Sequence, residues 1–280
     1  MTQQELLMRA TQLGLKTLDR TVPSLAAAWA ESIFLTPQHH PRPSLEEKIW
    51  KQGRPIELSS GNALRVYGSG RRLVFVHGWE SRGSAFADWV EPLTSQGFQI
   101  ALWDVPAHGD SPGKRINMVA ASRALQKDLQ EWDRTEASPL YALIGHSFGG
   151  CTCLFSQTTG SLRPEKTVTL GSPSNVRGVI TRSADQIGFS PRAKDLFLER
   201  LQKTTGLRID EGDFRLQGSR VPSKLLVIHD KKDKEISFQE GLELHSSVPH
   251  SGIHATEGLG HRRILRDNDV VKVVGEFLIG

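Results

Sequence analysis

The sequence predicts an α/β fold, a mainly parallel twisted sheet with helices on both faces, carrying a helical lid and an N-terminal helical extension. Two observations carry this. From residue 56 onward, short apolar runs of strand length alternate with segments whose apolar residues recur at helical spacing, a pattern that places helices on both faces of a parallel sheet. One run, Tyr141-Ala142-Leu143-Ile144, breaks into Gly145-His146-Ser147-Phe148-Gly149 and continues as a helix-compatible stretch. Small residues on either side of the serine allow a tight strand-to-helix turn to close.

The elements follow in chain order. Leu6, Leu7, Ala10, Leu13 and Leu18 lie near helical spacing, and apolar patches at 25–29 and 33–35 follow, so one or two amphipathic helices are expected. Packing against the core or a cap is the preferred reading of these faces, and association with a membrane surface the less favoured one. Prolines 37, 41 and 43 mark an extended linker, in which His39 and His40 show no chemistry. Residues 56–58 and 64–67 read as an opening hairpin around Ser59-Ser60-Gly61-Asn62, and 73–76 as a fully buried strand. Ser84 is placed to cap a helix bearing Phe86, Trp89, Val90 and Leu93. A strand over 98–105, a helix over 117–132 and the strand 140–144 come next.

After the strand 167–170 the alternation stops for some fifty residues. This insertion holds a helix that Ser190 caps, Pro191 begins and Gly206 ends. Its Ala193, Leu196, Phe197 and Leu201 share a face that either lines an acyl pocket or packs the insertion onto the core. Alternation resumes with the strand 225–228, a helix introduced by a Ser237/Glu240 capping box, and a last helix through Val270, Val271, Val274, Phe277 and Leu278. The organisation read from this is an extension and linker over 1–50, a core over 51–172, the lid insertion over 173–220, and the rest of the core over 221–280.

A serine hydroxyl is a weak nucleophile at neutral pH, so chemistry at Ser147 requires a base and an acid that orients it. After the apolar run 224–228 the chain reads His229-Asp230-Lys231-Lys232-Asp233, with Asp233 the candidate acid and Asp230 its rival. Gly258-Leu259-Gly260-His261 places a histidine in a glycine-flanked loop before the final helix, making His261 the candidate base. His245, His250 and His254 compete for that role without flanking glycines. His77, His108 and His146 read as turn and packing residues that shape the site rather than as proton carriers.

The order Ser147, Asp233, His261 resembles that of the α/β-hydrolase superfamily, and the resemblance extends over roughly residues 55 to 280. Leu73-Val74-Phe75-Val76-His77-Gly78-Trp79 is similar to the strand and His-Gly turn that supply half of the family's oxyanion hole, so Trp79 and Phe148 are expected to donate backbone N–H groups. Asp104-Val105-Pro106-Ala107-His108-Gly109-Asp110-Ser111 is similar to the family's loop after the next strand. Family-like spacing favours Asp233 over Asp230. The resemblance implies an esterase-like or lipase-like serine hydrolase that acts on a small-molecule acyl substrate through an acyl-enzyme. Thioesterase, amidase or peptidase, and acyltransferase activities share that chemistry, and a non-catalytic ligand-binding protein of the same fold is the alternative from another class.

Composition agrees. The net charge of +4 and isoelectric point near 9.1 come from basic residues scattered among carboxylates, without the long basic run that would suggest a nucleic-acid partner. Cys151 and Cys153 lie two apart on a predicted helix and point in different directions, so they read as reduced core residues of a cytoplasmic protein. No signal peptide or apolar run of membrane-spanning length is seen. No grouping of His, Cys and carboxylates has metal-ligand spacing, so neither metal nor cofactor is expected. The sequence leaves the oligomeric state open.

Overall fold

The computed structural model describes residues 3–136 and 138–280. The chain begins with helices α1 (Gln3–Thr21), α2 (Pro23–Phe34) and α3 (Ser44–Gln52). The central sheet is built from β1 (Arg54–Pro55), β2 (Leu64–Tyr67), β3 (Arg71–Val76), β4 (Phe98–Trp103), β5 (Leu140–His146), β6 (Lys166–Leu170), β7 (Lys224–Asp230) and β8 (Ser251–Thr256). Helices α4 (Ala87–Thr94), α5 (Met118–Thr135) and α6 (Phe148–Thr158) connect the first half. The second half adds α7 (Val176–Ile187), α8 (Pro191–Thr205), the single turn α9 (Phe214–Gln217), α10 (Phe238–Ser247), the short α11 (Gly260–Arg263) and α12 (Asn268–Ile279).

The strands lie in the order β1-β2-β4-β3-β5-β6-β7-β8, with β1 and β2 antiparallel and all pairings from β4 to β8 parallel. Every strand from β3 to β7 is buried on both faces because helices cover both, and β6 alone among them presents threonines, Thr167 and Thr169, on one face. Leu73 and Phe75 face one way, packed with Trp89 of α4, Ile144, Ile228 and the Val270, Val274 and Leu278 stripe of α12. Val74 and Val76 face the other way, with Trp103, Leu143 and the Leu125, Leu129 and Trp132 stripe of α5. Each of these fully buried aliphatic or aromatic side chains contributes roughly 1.5–3 kcal/mol relative to an exposed one.

Several boundaries differ from expectation for local reasons. The opening hairpin pairs only Arg54 and Pro55 with Val66 and Arg65, and residues 56–63 form a loop rather than the strand expected at 56–58. Ser84 does not cap a helix: its hydroxyl bonds Glu46 of α3, and a 3₁₀ turn over Gly83–Phe86 leads into α4. Ser237 caps α10 through the Gln239 N–H, but no capping box forms, because Glu240 instead accepts from the Ser174 N–H and from Arg182. His261 sits within α11 rather than in an open loop. The sequence pattern does not predict helices α3 and α7, α3 because it offers few apolar positions, α7 because only Ile180 and Ala184 on it are buried.

The choice left open for α8 resolves as packing. Ala193, Phe197 and Leu201 are buried against Leu15 of α1 and Ala26, Ala27 and Ala30 of α2, with Leu196 packed beside them. Phe34 meets Phe197 edge-on at 5.6 Å, Arg200 pairs with the buried Glu31 at 2.7 Å, and Asp19 takes both the N–H and the hydroxyl of Ser190 at 2.7 Å. The apolar faces of α1 and α2 are therefore spent partly on α8. Phe197→Ala is expected to cost about 3–5 kcal/mol, read as a lowered denaturant midpoint; an unchanged midpoint would show that this contact does not hold the extension.

Candidate active site

Ser147 follows the last residue of β5 and precedes the first of α6, at φ 51° and ψ −116°. A side chain in that region costs on the order of 1–3 kcal/mol and persists only where the surroundings enforce it. Here three glycines do so. A Cβ on Gly145 would lie 2.5 Å from the Gly150 backbone, one on Gly149 would lie 2.0 Å from the Val76 carbonyl oxygen, and one on Gly150 would lie 1.9 Å from the Ser172 hydroxyl. The helix therefore begins hard against β3 and β5, and the Ser147 N–H donates to the Leu170 carbonyl at 2.9 Å. The first turn of α6 directs its free N–H groups towards this end of the sheet.

The Gly78 turn meets the serine from β3. A Cβ on Gly78 would lie 3.3 Å from the Cβ of Ser147, so the Gly78–Trp79 peptide runs beside the candidate nucleophile. His77 fixes that peptide. Its Nε2 accepts from the Val105 N–H at 3.0 Å, so its Nδ1 carries the proton and donates to the Gly78 carbonyl at 2.7 Å. In a trans peptide C=O and N–H point oppositely; holding the Gly78 carbonyl on one side aims the Trp79 N–H to the other. Burial keeps His77 neutral, its pKa well below the ordinary histidine value. Asp104 ties the next loop in, its carboxylate accepting from the N–H groups of Gly83 at 2.6 Å and Asp110 at 2.8 Å, and burial raises it to about 6. The rings of Trp79 and Phe148 meet edge-on at 5.4 Å.

On the far side, His261 Nδ1 lies 2.7 Å from Asp233 Oδ2. A carboxylate accepts, so Nδ1 is the donor and Nε2 is the ring nitrogen left without that partner. The other oxygen of Asp233 accepts from the N–H groups of Glu235 and Ile236. Burial works against ionisation of Asp233, but the bond from His261 and these N–H groups outweigh it and hold its pKa below the ordinary carboxylate value. Gly171, at φ +56°, leaves room for the pair, since a Cβ there would crowd His261 Nδ1 at 3.2 Å and Asp233 Oδ2 at 3.3 Å.

His146 joins the two halves. Its Nε2–H donates to the His261 carbonyl at 2.8 Å and the two rings lie 4.8 Å apart. Burial lowers its pKa to about 3, so it stays neutral. Ser147 Oγ and His261 Nε2 are not themselves hydrogen-bonded, and Glu235 lies 3.9 Å from that nitrogen on a half-exposed side chain. The structure thus brings Asp233 and His261 into contact and sets Ser147 against the Gly78 turn. His245 bonds Ser251 and stands apart from the Asp233–His261 pair.

The rival carboxylate has a different place. Asp230, fully buried at the end of β7, accepts from Thr256 at 2.8 Å and from the N–H groups of Lys232, Leu259 and Gly258 at 2.9, 2.9 and 3.2 Å. It thereby pins the segment that carries His261. Burial opposes its ionisation, yet the bonds from Thr256 and the backbone prevail and lower it to about 2. The sequence marks His77 and His146 as turn and packing residues that shape the site but not what they hold, and it gives Asp104 and Asp230 no positioning role; each of these polar side chains ends a strand or begins the loop after one. Cys151 and Cys153 are buried free thiols whose pKa burial raises, and among the described residues no group of three or more ligating side chains could hold a metal. A depressed acid contributes stability that is complete above its unfolded value and lost as pH falls through the folded one. The melting-temperature gap between the wild type and Asp230→Asn should therefore be widest above about pH 5 and close towards pH 2; a gap independent of pH would remove Asp230 from this role.

The comparisons bear on the same region. A family model described as serine aminopeptidase, S33, matches residues 69–170, from β3 through the serine turn to the end of β6. The pimeloyl-[acyl-carrier protein] methyl ester esterase of Xanthomonas campestris pv. campestris is 32% identical over 120 residues, 41% of this chain and 42% of that protein. The Stenotrophomonas maltophilia protein of the same name is 32% identical over 100 residues, 34% of each chain. The chain thus spans less than half the length of the curated relatives it matches. Solved structures overlap more widely at low identity: an esterase of Pyrococcus furiosus superposes with a TM-score of 0.67 at 16% identity, over 88% of this chain and 97% of the other. The Exiguobacterium antarcticum esterase does so with a TM-score of 0.61 at 17% identity, over 82% and 100%. With its strand order, its strained serine turn and these likenesses, the chain has the α/β-hydrolase fold, and over residues 69–170 it is similar to the serine aminopeptidase, S33, family.

Proposed function

We propose that this protein is a serine hydrolase that cleaves a carboxylic ester of a small-molecule acyl substrate through an acyl-enzyme. The observation that carries the reading is the convergence, at one end of the sheet, of Ser147 in its strained turn, the aimed Trp79 N–H and the Asp233–His261 pair. His261 Nε2, the free base, takes the Ser147 proton as Oγ attacks the ester carbon; the carbonyl oxygen becomes an oxyanion held by the N–H groups of Trp79 and Phe148. Asp233 stabilises the imidazolium that forms. Collapse expels the alcohol, which receives the proton from His261, and water then cleaves the acyl-enzyme by the same steps. The Ser147–His261 bond, open in the free protein, closes as substrate fills the site, as such bonds do in other enzymes.

The matched esterases support an ester over an amide or thioester bond, since the curated relatives are named for a methyl ester. Residues 173–220 are proposed as a lid, with α7 and α8 fastened by α1 and α2 as its outer layer. Among the described residues no helix is long and apolar enough to cross a membrane. The buried reduced cysteines support a cytoplasmic location, and the scattered basic residues speak against a nucleic-acid partner.

Ser147→Ala is expected to lower ester turnover by on the order of 10⁴ or more and to abolish labelling by a fluorophosphonate. Full labelling of Ser147→Ala would refute the assignment of the nucleophile, and a wild type left unlabelled would point to a binding protein. His77→Leu frees the Gly78 carbonyl, so kcat should fall, up to the roughly 10²–10³ seen on loss of an oxyanion donor, with KM little moved. A changed KM at constant kcat would place His77 in ground-state binding instead.

A further inference from the structure

The inner faces of α1 and α2 are covered by α8, and their outer faces are left bare. Of the ten large apolar side chains that stand exposed among the described residues, six lie between residues 6 and 33. Leu6 and Leu13, 56% and 68% exposed, stand seven apart on α1, on the side of that helix opposite the buried Leu15. Val22, Leu25, Trp29 and Ile33 recur at spacings of three and four, which sets them on one stripe of α2. The two stripes meet across the hairpin. Trp29 lies over Gly14, the neighbour of Leu13, since a Cβ on that glycine would be 2.9 Å from its ring. A clustered exposed apolar patch of this kind marks an interaction surface.

Charge selects the partner. Between residues 6 and 35 the acids are Asp19 and Glu31, and both are buried and spent on the insertion, Asp19 on Ser190 and Glu31 on Arg200. The cations of the same stretch, Arg9, Lys16 and Arg20, are all exposed. Gly14 marks the side of α1 that faces α2, and the three cations, at spacings of seven and four, form a row on the opposite flank of the Leu6 and Leu13 stripe. Every charge that residues 6–35 present to solvent is therefore positive, and it borders the apolar patch. Leucines and a tryptophan beside a basic row match the headgroup boundary of an anionic bilayer, which takes the apolar side chains among its acyl chains and the cations on its phosphates. A second copy of the chain matches less well, because a two-fold contact through this face would set the row of cations against itself.

We propose that the outer face of the α1 and α2 hairpin docks this protein on an anionic lipid surface, with Leu13, Leu25 and Trp29 entering the headgroup boundary and Arg9, Lys16 and Arg20 meeting lipid phosphates. The inner face of the same hairpin rests on α8, so the insertion lies directly behind the docked surface. The docking does not depend on the hydrolase reading of Ser147.

The test mixes the full chain with vesicles of phosphatidylcholine, alone or with about one-third phosphatidylglycerol, and measures sedimentation with the vesicles. The anionic vesicles should bind about tenfold or more tightly at low salt, and added salt should erase most of the difference. Trp29 gives a second readout that needs no loss of binding, because the other five tryptophans are buried or half-buried. Brominated acyl chains should quench the wild type and leave Trp29→Phe largely unquenched. Leu13→Gln with Leu25→Gln, both at exposed positions, should weaken binding about tenfold or more at an unchanged denaturant midpoint. Replacing Arg9, Lys16 and Arg20 by Gln should remove the preference for the anionic vesicles, about fivefold per cation. No binding to either vesicle, or equal binding to both, overturns the proposal. Binding that survives the double leucine variant refutes the hairpin as the docking face. A chain that stays off vesicles, dimerises in ultracentrifugation and is returned to a monomer by that variant makes this face an interface between copies, and the lipid reading fails.

Discussion

The close approach of the α6 N-terminus to β3 and β5 is the constraint on which the rest of the site depends. Gly149 touches the Val76 carbonyl and Gly145 touches Gly150 at distances no Cβ would survive, and Ser147 between them has no freedom to relax from positive φ. The strain is carried by the sheet, whose parallel pairing of β5 with β3 and β6 fixes the strand end and whose Leu170 carbonyl takes the Ser147 N–H. A side chain so held needs no further ordering before it meets a ligand, which is the value of rigidity in a site of this kind.

Around that point, neutral buried histidines act as struts. His77 orients the Gly78 carbonyl, His146 holds the His261 carbonyl, and His229 donates to the Ile236 carbonyl beside Asp233. Burial depresses the pKa of all three, so each stays an uncharged donor across the physiological range. His261 differs from them in its partner: its Nδ1 faces the carboxylate of Asp233 and not a backbone carbonyl. Two carboxylates separate in the same manner. Asp230 accepts from a hydroxyl and backbone N–H groups and pins a loop, whereas Asp233 accepts from His261.

The proposed lid and the N-terminal helices form one cluster of their own. Buried acids on α1 and α2 meet Ser190 and Arg200 of the α8 region, so the extension is matched to that insertion by polar contacts as well as by apolar area. The linker between α2 and α3 walls a cavity together with His108, whose ring meets Trp79, and so places residues far from Ser147 in sequence near the Gly78 turn.

The sequence alone determined the alternating architecture and the serine turn and pointed to His261, because strand and helix periodicities, glycine spacing and chain order are local or ordinal signals. It also placed Asp233 ahead of Asp230, though only by resemblance to a family. Tertiary structure decided what those signals do not encode: that Glu240 leaves its capping position for Ser174 and Arg182, that the apolar face of α8 covers α2, and that His77, His146 and Asp230 orient their neighbours. A hydrogen bond between residues a hundred positions apart depends on where the sheet sets each strand end, and no pattern along the chain specifies that distance.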